Sequence, residues 1–327
     1  MREFRRSRRR AVAGAVAAAL AITAGPVGCD APPGADRGPV KRPKPSPTRV
    51  WDRAPGSLAA VGDSITRGFD ACSLFADCPE VSWATGTDTA VRSLALRLLG
   101  TAAGAPPGPE PPPAGRPGGG AAPPQNPPPA AAPRRAWNHA RSGARMADLP
   151  AQMTAAADRG PELVTVMVGA NDACRDTPAQ MTPVAEFTES FTAAMRSLRR
   201  TAPKTHVYVS SVPDLKRLWS TGRGNPLGKQ IWKLGICASM LGDADDLGPA
   251  AQERRALVHD RVVAYNRALR DVCAKDLRCR YDGDAVFDYR FTGEQLSPWD
   301  WFHPSRNGQS RLAEIAYRNI TAARPPE

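Results

Sequence analysis

The stretch "PELVTVMVGAND", residues 161–172, decides the fold class of this chain. Its centre is a continuous apolar run, without the strict alternation that a strand with one solvent-exposed face shows. Such runs are typical of strands in parallel sheets, because helices cover both faces of those sheets. The run ends at Gly169, so the polar residue Asn171 follows the end of the strand directly.

Strand and helix patterns alternate along much of the chain. Apolar segments predict further strands at 57–64, where the strand ends in a turn, just before "NHARSGAR" and at 205–215. Apolar residues at helical spacing predict helices at 87–100, 182–198, 255–273 and 307–320. This alternation predicts an α/β fold with a central parallel sheet that helices cover on both sides. About 240 residues belong to the pattern, which is the size of one domain.

The first 28 residues have the composition of an export signal. A basic segment, "MREFRRSRRR", precedes the alanine-rich "AVAGAVAAALAITAGPVGC", which is too short and too interrupted for a permanent membrane span. Its end is similar to a bacterial lipoprotein cleavage site at which Cys29 would be acylated, although Pro26 stands where leucine is usual. Ordinary secretory cleavage and acylation of Cys29 both remain open, as do general and twin-arginine export. The protein is therefore expected to be secreted or anchored to the outer face of the cell membrane.

Two other segments are rich in proline. Residues 29–56 are predicted to be a tether, and residues 104–134, which contain 13 prolines, a disordered insertion. The chain between and beyond them, residues 57–325, would then form the domain. The proline-rich composition of residues 104–134 cannot bury enough apolar surface to offset the entropy that the segment would lose on ordering.

The positive charge of the chain lies largely in the export signal. Residues 1–28 contain six arginines and one glutamate, so their removal lowers the formal net charge from +12 to +7. No basic stretch is interleaved with aromatic residues in the way that nucleic-acid-binding surfaces are. We therefore expect no nucleic-acid partner.

Six cysteines remain besides Cys29, and they are Cys72, Cys78, Cys174, Cys237, Cys273 and Cys279. None has the spacing of a metal finger, and an exported protein meets an oxidising environment, so disulfides are expected. Pairing of sequence neighbours gives 72–78 and 273–279 and leaves 174–237. Six cysteines allow other pairings, so the sequence alone leaves the connectivity open.

Four polar stretches lie where a parallel sheet would bind ligands, which is at the carboxyl ends of its strands. They are "VGDSITRG" with Ser64, "NHARSGAR" with Gly143, "VGANDAC" with Asn171, and "DWFHPS" with Asp300 and His303. Together they supply what acyl transfer needs. A serine becomes a good nucleophile when a base takes its proton, and His303, held by Asp300, can be that base for Ser64.

The same stretches offer donors for an oxyanion. The backbone N–H groups of Ser64 and Gly143 and the side-chain amide of Asn171 are suitable types. Glycine at 143 would let the backbone approach the oxyanion without a side chain in the way. A metal at Asp300 and His303 would need further ligands, and the sequence indicates none. We therefore expect neither a metal nor a cofactor.

Other polar residues near these stretches have a structural interpretation. Asp63 and Asp172 are interpreted as acids that fix their turns by accepting backbone hydrogen bonds. His139 is interpreted as a hydrogen-bonded loop residue, and His206 and His259 as surface or packing residues. The nucleophile elbow G-x-S-x-G, zinc-protease and P-loop motifs are absent from the sequence, which disfavours those chemistries.

The four stretches, in this order, resemble the signature blocks of the SGNH, or GDSL-type, hydrolases. The resemblance covers roughly residues 57–320, apart from the proline-rich insertion. It implies a flavodoxin-like three-layer α/β/α fold and the hydrolysis or transfer of ester-linked acyl groups without a cofactor. The stretches "VMVGANDAC" and "SVPDLKRLW" and the cysteine pairs are most similar to secreted esterases of the phospholipase B type.

The leading hypothesis is an exported serine ester hydrolase that cleaves carboxylic esters, including lipid or phospholipid esters, through an acyl-enzyme on Ser64. A carbohydrate O-acetyl esterase and a non-catalytic surface lipoprotein are the alternatives. The expected partners are an ester substrate and, through Cys29, the membrane, and the protein is expected to be a monomer. The apolar segment 227–242 is interpreted as a core-packed helix, with a lipid-binding wall as the alternative.

Overall fold

The computed structural model of the protein describes residues 51–100 and 135–326. Within these ranges, five strands form one sheet in which all neighbours are parallel and the spatial order is β2-β1-β3-β4-β5. The strands are β1 (Leu58–Gly62), β2 (Ala136–Asn138), β3 (Leu163–Met167), β4 (His206–Val209) and β5 (Cys279–Tyr281). This is the strand order of the flavodoxin-like fold, in which ligands bind where the order reverses between β1 and β3.

Helices connect and flank the strands. They are α1 (Ser64–Arg67), α2 (Leu94–Leu99), α3 (Leu149–Ala157), α4 (Ala170–Ala173), α5 (Val184–Thr201), α6 (Leu215–Gly222), α7 (Pro226–Trp232), α8 (Ala238–Leu241), α9 (Pro249–Ala274), α10 (Ala285–Asp288) and α11 (Arg306–Thr321). Four single 3₁₀ turns lie at Pro79–Val81, Met146–Asp148, Pro178–Gln180 and Gly293–Gln295.

Two neighbouring residues of β5 show that helices cover both faces of the sheet. Cys279 is joined by a disulfide to Cys273 in α9, whereas the guanidinium of Arg280 donates to the carbonyl of Asn319 in α11, 2.7 Å away. Successive side chains of a strand point to opposite faces, so α9 and α11 lie on opposite sides. Helix α5 packs against both α3 and α9, and α2 packs against α11. The predicted three-layer α/β/α fold is confirmed.

The strands at the centre of the sheet are buried throughout. Every residue of β1 and of β3 is buried, in agreement with the continuous apolar runs of the sequence. On α5, Phe187, Phe191 and Leu198 are buried on one face, as their spacing predicts. The side chains of the core therefore follow the hydrophobic pattern of the sequence.

The bounds of some elements differ from those predicted. The helix expected at 87–100 begins only at Leu94, because Asp88 fixes a turn before it and the Ser93 hydroxyl caps it by accepting from the Leu96 N–H. Helix α5 begins at Val184, two residues after the predicted start, and has no side-chain cap. The three-residue strand β5 was not predicted, since so short a segment carries no periodic signal.

All three disulfides predicted from pairing of sequence neighbours are present. Cys72 is bonded to Cys78, Cys174 to Cys237 and Cys273 to Cys279. The first and third close short loops between positions six apart, and the second joins positions 63 apart. The connectivity that the sequence left open is thereby decided.

Residues 51–56, assigned to the tether from sequence, contact the domain. The Trp51 indole N–H donates to the carbonyl of Ile320, 2.8 Å away, and its ring meets His206 edge-on. The export signal at 1–28, Cys29, the rest of the tether and the insertion at 104–134 lie outside the described residues. None of the helices in the described ranges combines the length and apolar character that spanning a membrane requires.

Candidate active site

The turn that follows β1 presents Ser64 as the first residue of α1. Gly62 allows this turn, because a Cβ there would lie 2.1 Å from the carbonyl oxygen of Met167 in the next strand. The carboxylate of Asp63 accepts a hydrogen bond from the Ile65 N–H at 3.0 Å and so caps α1. Asp63 thus fixes the turn, as the sequence suggested.

Two polar side chains attach this turn to distant elements. The Gln309 amide of α11 donates to the carbonyl of Ile65 at 2.9 Å, and the Asn138 amide of β2 donates to the carbonyl of Thr66 at 3.0 Å. Both carbonyl groups belong to the short helix α1, whose last turn has few hydrogen bonds of its own. Ser64 is therefore held on a rigid turn and is 8% exposed.

The segment "DWFHPS" forms a tight loop before α11. The Ser297 N–H donates to the carbonyl of His303 at 2.7 Å, and the Trp232 indole N–H donates to the carbonyl of Asp300, also at 2.7 Å. One carboxylate oxygen of Asp300, Oδ1, accepts from the backbone N–H groups of Phe302 and His303, each at 2.9 Å. These contacts fix the direction in which Asp300 presents its second oxygen.

The fold joins Ser64, His303 and Asp300 by a chain of hydrogen bonds. The Ser64 hydroxyl lies 3.0 Å from His303 Nε2, and His303 Nδ1 lies 2.5 Å from Asp300 Oδ2. Asp300 is completely buried, and the ring of Phe69 meets the imidazole edge-on with ring centres 5.1 Å apart. A serine, a base within hydrogen-bond distance and an acid that orients the base form the geometry of nucleophilic catalysis.

Burial and charge oppose each other in this group. Burial alone would lower the pKa of His303, but the charge and hydrogen bond of Asp300, together with Asp70 and Asp63, raise that pKa above its ordinary 6.5. Burial alone would raise the pKa of Asp300, but the charge of His303 and three hydrogen bonds hold it below its ordinary value. The arrangement therefore stabilises an imidazolium facing a carboxylate.

Asn171, on α4, lies beside the nucleophile in the same cavity as Ser64. Its amide nitrogen donates one hydrogen bond to the carbonyl of Ala144 at 2.9 Å, which leaves its second N–H to bind an oxyanion. Gly143 immediately precedes Ala144 and adopts φ +80°, a conformation that favours glycine. It is exposed and lies outside the lining of the cavity, and a Cβ there would meet open space. Its backbone conformation, rather than crowding, requires glycine.

A cavity of about 200 Å³ opens at Ser64 and His303. Its walls are apolar and come from α4, α6, the segment before α8 and the loop before α11; the residues include Ala170, Leu215, Leu218, Ile236, Phe291, Phe302 and the Cys174–Cys237 disulfide. Segment 227–242 is not the single helix that was predicted but holds α7 and α8, and it contributes both to the core and to the cavity lining. Trp232, Met240 and Leu241 are core residues, whereas Ile236 and Cys237 line the cavity.

Asp70 is a residue of the site that was not predicted from the sequence. This residue is completely buried, and one oxygen of its carboxylate lies within 4.8 Å of both an Asp300 oxygen and a ring nitrogen of His303. Burial and the negative charge of Asp300 raise the pKa of Asp70 to about 6. No motif marks this acid, because its position depends on how the loop after α1 folds back on the loop before α11.

The other histidines lie away from the lining of this cavity. His206 packs against Trp51, and His259 Nδ1 lies 3.3 Å from Asp214, which caps α6. His139 was expected to be hydrogen-bonded, but its buried Nε2 has no partner among the described residues, and burial lowers its pKa. Asp172 accepts from the Met146 N–H at 2.9 Å and so fixes the loop that carries Gly143, as expected.

Asp70, Asp300 and His303 are residue types that could ligate a metal. Sequence reasoning found no third ligand beside Asp300 and His303, and the structure corrects this by placing Asp70 there. However, His303 Nδ1 and Asp300 Oδ2 are only 2.5 Å apart and hydrogen-bonded to each other. That bond uses the atoms a metal would need, so the geometry favours proton transfer over metal binding.

The three-layer α/β fold and the hydrogen-bonded serine, histidine and aspartate at its switch point agree with the resemblance to the SGNH hydrolases. The sequence pattern of the family described as "GDSL-like Lipase/Acylhydrolase" matches residues 58–316, which is most of the chain. The protein belongs to this family. The closer resemblance to the phospholipase B type stays a prediction. No curated protein matches the sequence.

Several solved structures are similar to this one. The extracellular lipase from Streptomyces rimosus is 17% identical, with 81% of this chain and 99% of that chain covered and a TM-score of 0.43. Phospholipase A1 from Streptomyces albidoflavus NA297 is 19% identical, with 82% and 100% covered and a TM-score of 0.43. The family 3 carbohydrate esterase of Clostridium thermocellum is 13% identical, with 80% and 93% covered and a TM-score of 0.42.

Proposed function

We propose that this protein is an exported carboxylic-ester hydrolase that acts through an acyl-enzyme on Ser64. The observation that carries the proposal is the chain of hydrogen bonds from Ser64 through His303 to the buried Asp300, at the mouth of an apolar cavity. Membership of the GDSL-like family supports ester hydrolysis as the reaction.

The reaction proceeds in two halves. As the Ser64 oxygen bonds to the ester carbonyl carbon, its proton passes to His303 Nε2, and Asp300 stabilises the imidazolium through Nδ1. The carbonyl oxygen becomes an oxyanion, which the second N–H of Asn171 and the backbone N–H of Ser64 bind. The backbone N–H of Gly143 was also predicted as a donor, but Gly143 lies outside the lining of the cavity. The tetrahedral intermediate collapses, the C–O bond to the alcohol breaks, and His303 returns the proton to the leaving oxygen.

Water then releases the acyl group. His303 takes a proton from a water molecule that attacks the acyl-enzyme, and the second tetrahedral intermediate breaks the bond to Ser64, which regains its proton from His303. The products are a carboxylic acid and an alcohol. With one ester and one water as reactants, the protons and electron pairs of the two halves balance.

The lining of the cavity suits an uncharged, apolar acyl group. Apart from Ser64, Asn171 and His303, its lining is apolar, so the side chain of an acyl group would lose water against Leu215, Leu218 and Ile236. Each buried CH₂ contributes about 0.8 kcal/mol. An acetyl group would use little of this surface, which favours lipid-type acyl esters over sugar acetates as substrates.

Export and anchoring form a separate part of the proposal. Three disulfides support maturation in an oxidising compartment. The export signal at 1–28 and acylation of Cys29 would then place the enzyme outside the cell or on the outer face of its membrane. Mass spectrometry of the mature N-terminus tests both, since acylation adds lipid mass to Cys29 and ordinary cleavage does not.

The decisive experiment on the reaction is covalent labelling with a fluorophosphonate, followed by peptide mapping. We expect the label on Ser64 in the parent and none in Ser64→Ala, with an unchanged melting temperature because only a small hydroxyl is lost. Turnover should be measured in parallel on acetyl, butyryl, octanoyl and phospholipid esters. A parent that is not labelled and cleaves none of these esters would make the protein a non-catalytic binding protein.

The ester series also decides between lipid and sugar substrates. We expect kcat/KM to rise from acetyl to the longer acyl chains, because the added CH₂ groups enter the apolar cavity. Highest activity on acetylated oligosaccharides, with no gain from longer chains, would favour the carbohydrate O-acetyl esterase instead.

A further inference from the structure

The loop after α1 places a second carboxylate against the histidine. Asp70 is buried and adopts φ +56°, and its backbone is held at both ends: its N–H donates to the carbonyl of Ala76 at 3.0 Å, and its carbonyl accepts from the Ser297 hydroxyl at 2.7 Å. The Cys72–Cys78 disulfide closes the same loop. The position of Asp70 is therefore set by the covalent loop and by the segment that carries Asp300 and His303.

Holding the loop involves only one of the two oxygens of the Asp70 carboxylate. Its Oδ1 accepts from the Phe75 N–H at 2.5 Å, but its Oδ2 is buried without a hydrogen-bond partner among the described residues. Burying a carboxylate oxygen without a partner is unfavourable, and residues with strained backbone cluster at functional sites. The imidazole of His303 offsets this unfavourable burial. A ring nitrogen of His303 and a carboxylate oxygen of Asp300 both lie within 4.8 Å of an Asp70 oxygen.

We propose that Asp70 is a positioning residue for the reaction: its carboxylate acts through His303 and stabilises the imidazolium that forms when Ser64 attacks. Asp300 orients the imidazole through a direct hydrogen bond, whereas Asp70 acts through space. The proposal rests on the proposed ester hydrolysis and adds a second acid to its proton relay.

Three acids face His303. They are Asp300 on its own loop, Asp70 on the loop after α1 and Asp63 at the start of α1, and each favours the charged imidazole. Asp70 and Asp300 also disfavour each other's ionisation. The four groups therefore titrate as a coupled cluster, whose apparent pKa values belong to the cluster as a whole.

The variant Asp70→Asn separates the two roles of this residue. Asparagine keeps an oxygen that can accept from Phe75, so the loop stays closed, but it removes the negative charge. An opposite charge within about 4–6 Å shifts a pKa by about 1–3 units. The pKa of His303 should therefore fall in Asp70→Asn, and the rising limb of kcat/KM against pH should move about one unit or more to lower pH. The plateau kcat should drop by about tenfold, because the imidazolium is less stable.

Glu80→Gln is the matched control. Glu80 lies just beyond the same disulfide, is exposed and carries the same charge. The dependence of kcat/KM on pH in Glu80→Gln should coincide with that of the parent. Asp70→Ala, which removes the acceptor for Phe75 as well, should show the shift of Asp70→Asn together with a lower melting temperature.

The titration of His303 can be followed without any substrate. The chain has four histidines, so NMR of ¹⁵N-histidine-labelled protein, with His303→Ala for assignment, reports each imidazole separately. We expect the pKa of His303 to lie above its ordinary value in the parent and to fall in Asp70→Asn. This readout is independent of turnover, so it remains decisive even if the parent cleaves no ester.

Two results would overturn the role of Asp70. In the first, Asp70→Asn is folded and its pH profile and His303 titration coincide with those of the parent, which makes Asp70 a loop-holding residue only. In the second, which applies where Asp70→Asn fails to fold, Asp70→Ala takes its place, and a His303 titration in that variant that coincides with the parent's shows that Asp70 does not act on the histidine.

Discussion

Asp300 and His303 are hydrogen-bonded twice. Asp300 Oδ1 accepts from the His303 backbone N–H at 2.9 Å, and Oδ2 accepts from Nδ1 of the same residue at 2.5 Å. The acid therefore fixes both the backbone that carries the histidine and the direction of its ring. This geometry requires the spacing D-x-x-H, since a turn of three residues is what brings the two groups together.

Asp300→Asn tests whether the acid does more than hold the loop. The asparagine oxygen can still accept from the backbone, but its N–H₂ would face Nδ1, where the imidazole needs an acceptor. The corresponding change in serine proteases lowers kcat by about 10⁴. We expect a smaller loss, about 10²–10³, because Asp70 still stabilises the imidazolium.

The pH profile of Asp300→Asn follows from the sign of the pKa shift. Asp300 raises the pKa of His303, so parent activity should rise with pH through an apparent pKa above 6.5 as the imidazole loses its proton. Without Asp300 the pKa falls, and the rising limb should move to lower pH. Measurement of kcat/KM against pH for the parent, Asp300→Asn and His303→Ala checks this. An Asp300→Asn profile that matches the parent, with His303→Ala inactive, would show a Ser–His dyad.

Asn171→Ala tests the oxyanion site. One preorganised donor contributes about 3–4 kcal/mol in the transition state, so kcat should fall by about 10²–10³ with little change in KM. The melting temperature serves as the control, because the Ala144 contact is lost as well. A rise in KM at unchanged kcat would make Asn171 a residue that binds the substrate before reaction.

Removing the Cys174–Cys237 disulfide, by Ala at both positions, should change substrate preference. Both cysteines line the cavity, so we expect kcat/KM for octanoyl esters to fall more than for acetyl esters. The loop-entropy account also predicts a stability loss of about 4 kcal/mol for so long a loop.

The matched control is Ala at Cys273 and Cys279, whose disulfide joins α9 and β5 at positions six apart. Removing this disulfide should lower the free energy of unfolding by about 2 kcal/mol. The dependence of kcat/KM on the length of the acyl chain should stay the same as in the parent. If both double variants change the dependence of kcat/KM on acyl-chain length equally, the Cys174–Cys237 disulfide has no specific role in acyl binding.

Deletion of residues 106–133, with a short flexible linker in their place, should leave the domain nearly as stable as the parent. The entropic cost of closing a loop changes slowly with its length, so the loop contributes little to folding. Thermal unfolding of the two proteins makes the comparison. A large drop in melting temperature would show that the proline-rich segment packs on the domain.

Much of the fold could be predicted from the sequence because the signals are local. The apolar runs at 57–62 and 161–168 and the helical spacing of Phe187, Phe191 and Leu198 follow from which faces are buried. The short strand β5 and the late start of α2 could not be predicted in this way. A three-residue strand has no periodicity of its own, and its place depends on pairing with β4.

The candidate site also has some features that the sequence predicts and others that only the tertiary structure creates. The order of the four stretches and the spacing of Asp300 and His303 are properties of the sequence, and they were enough to predict the residues of the relay. Tertiary structure decided the rest: it brings Ser64 within hydrogen-bond distance of a histidine 239 positions away, sets Asp70 against that histidine and builds the apolar cavity from α4, α6 and the disulfide. No local pattern marks Asp70, because its burial and its neighbours are created only when two distant loops pack against each other.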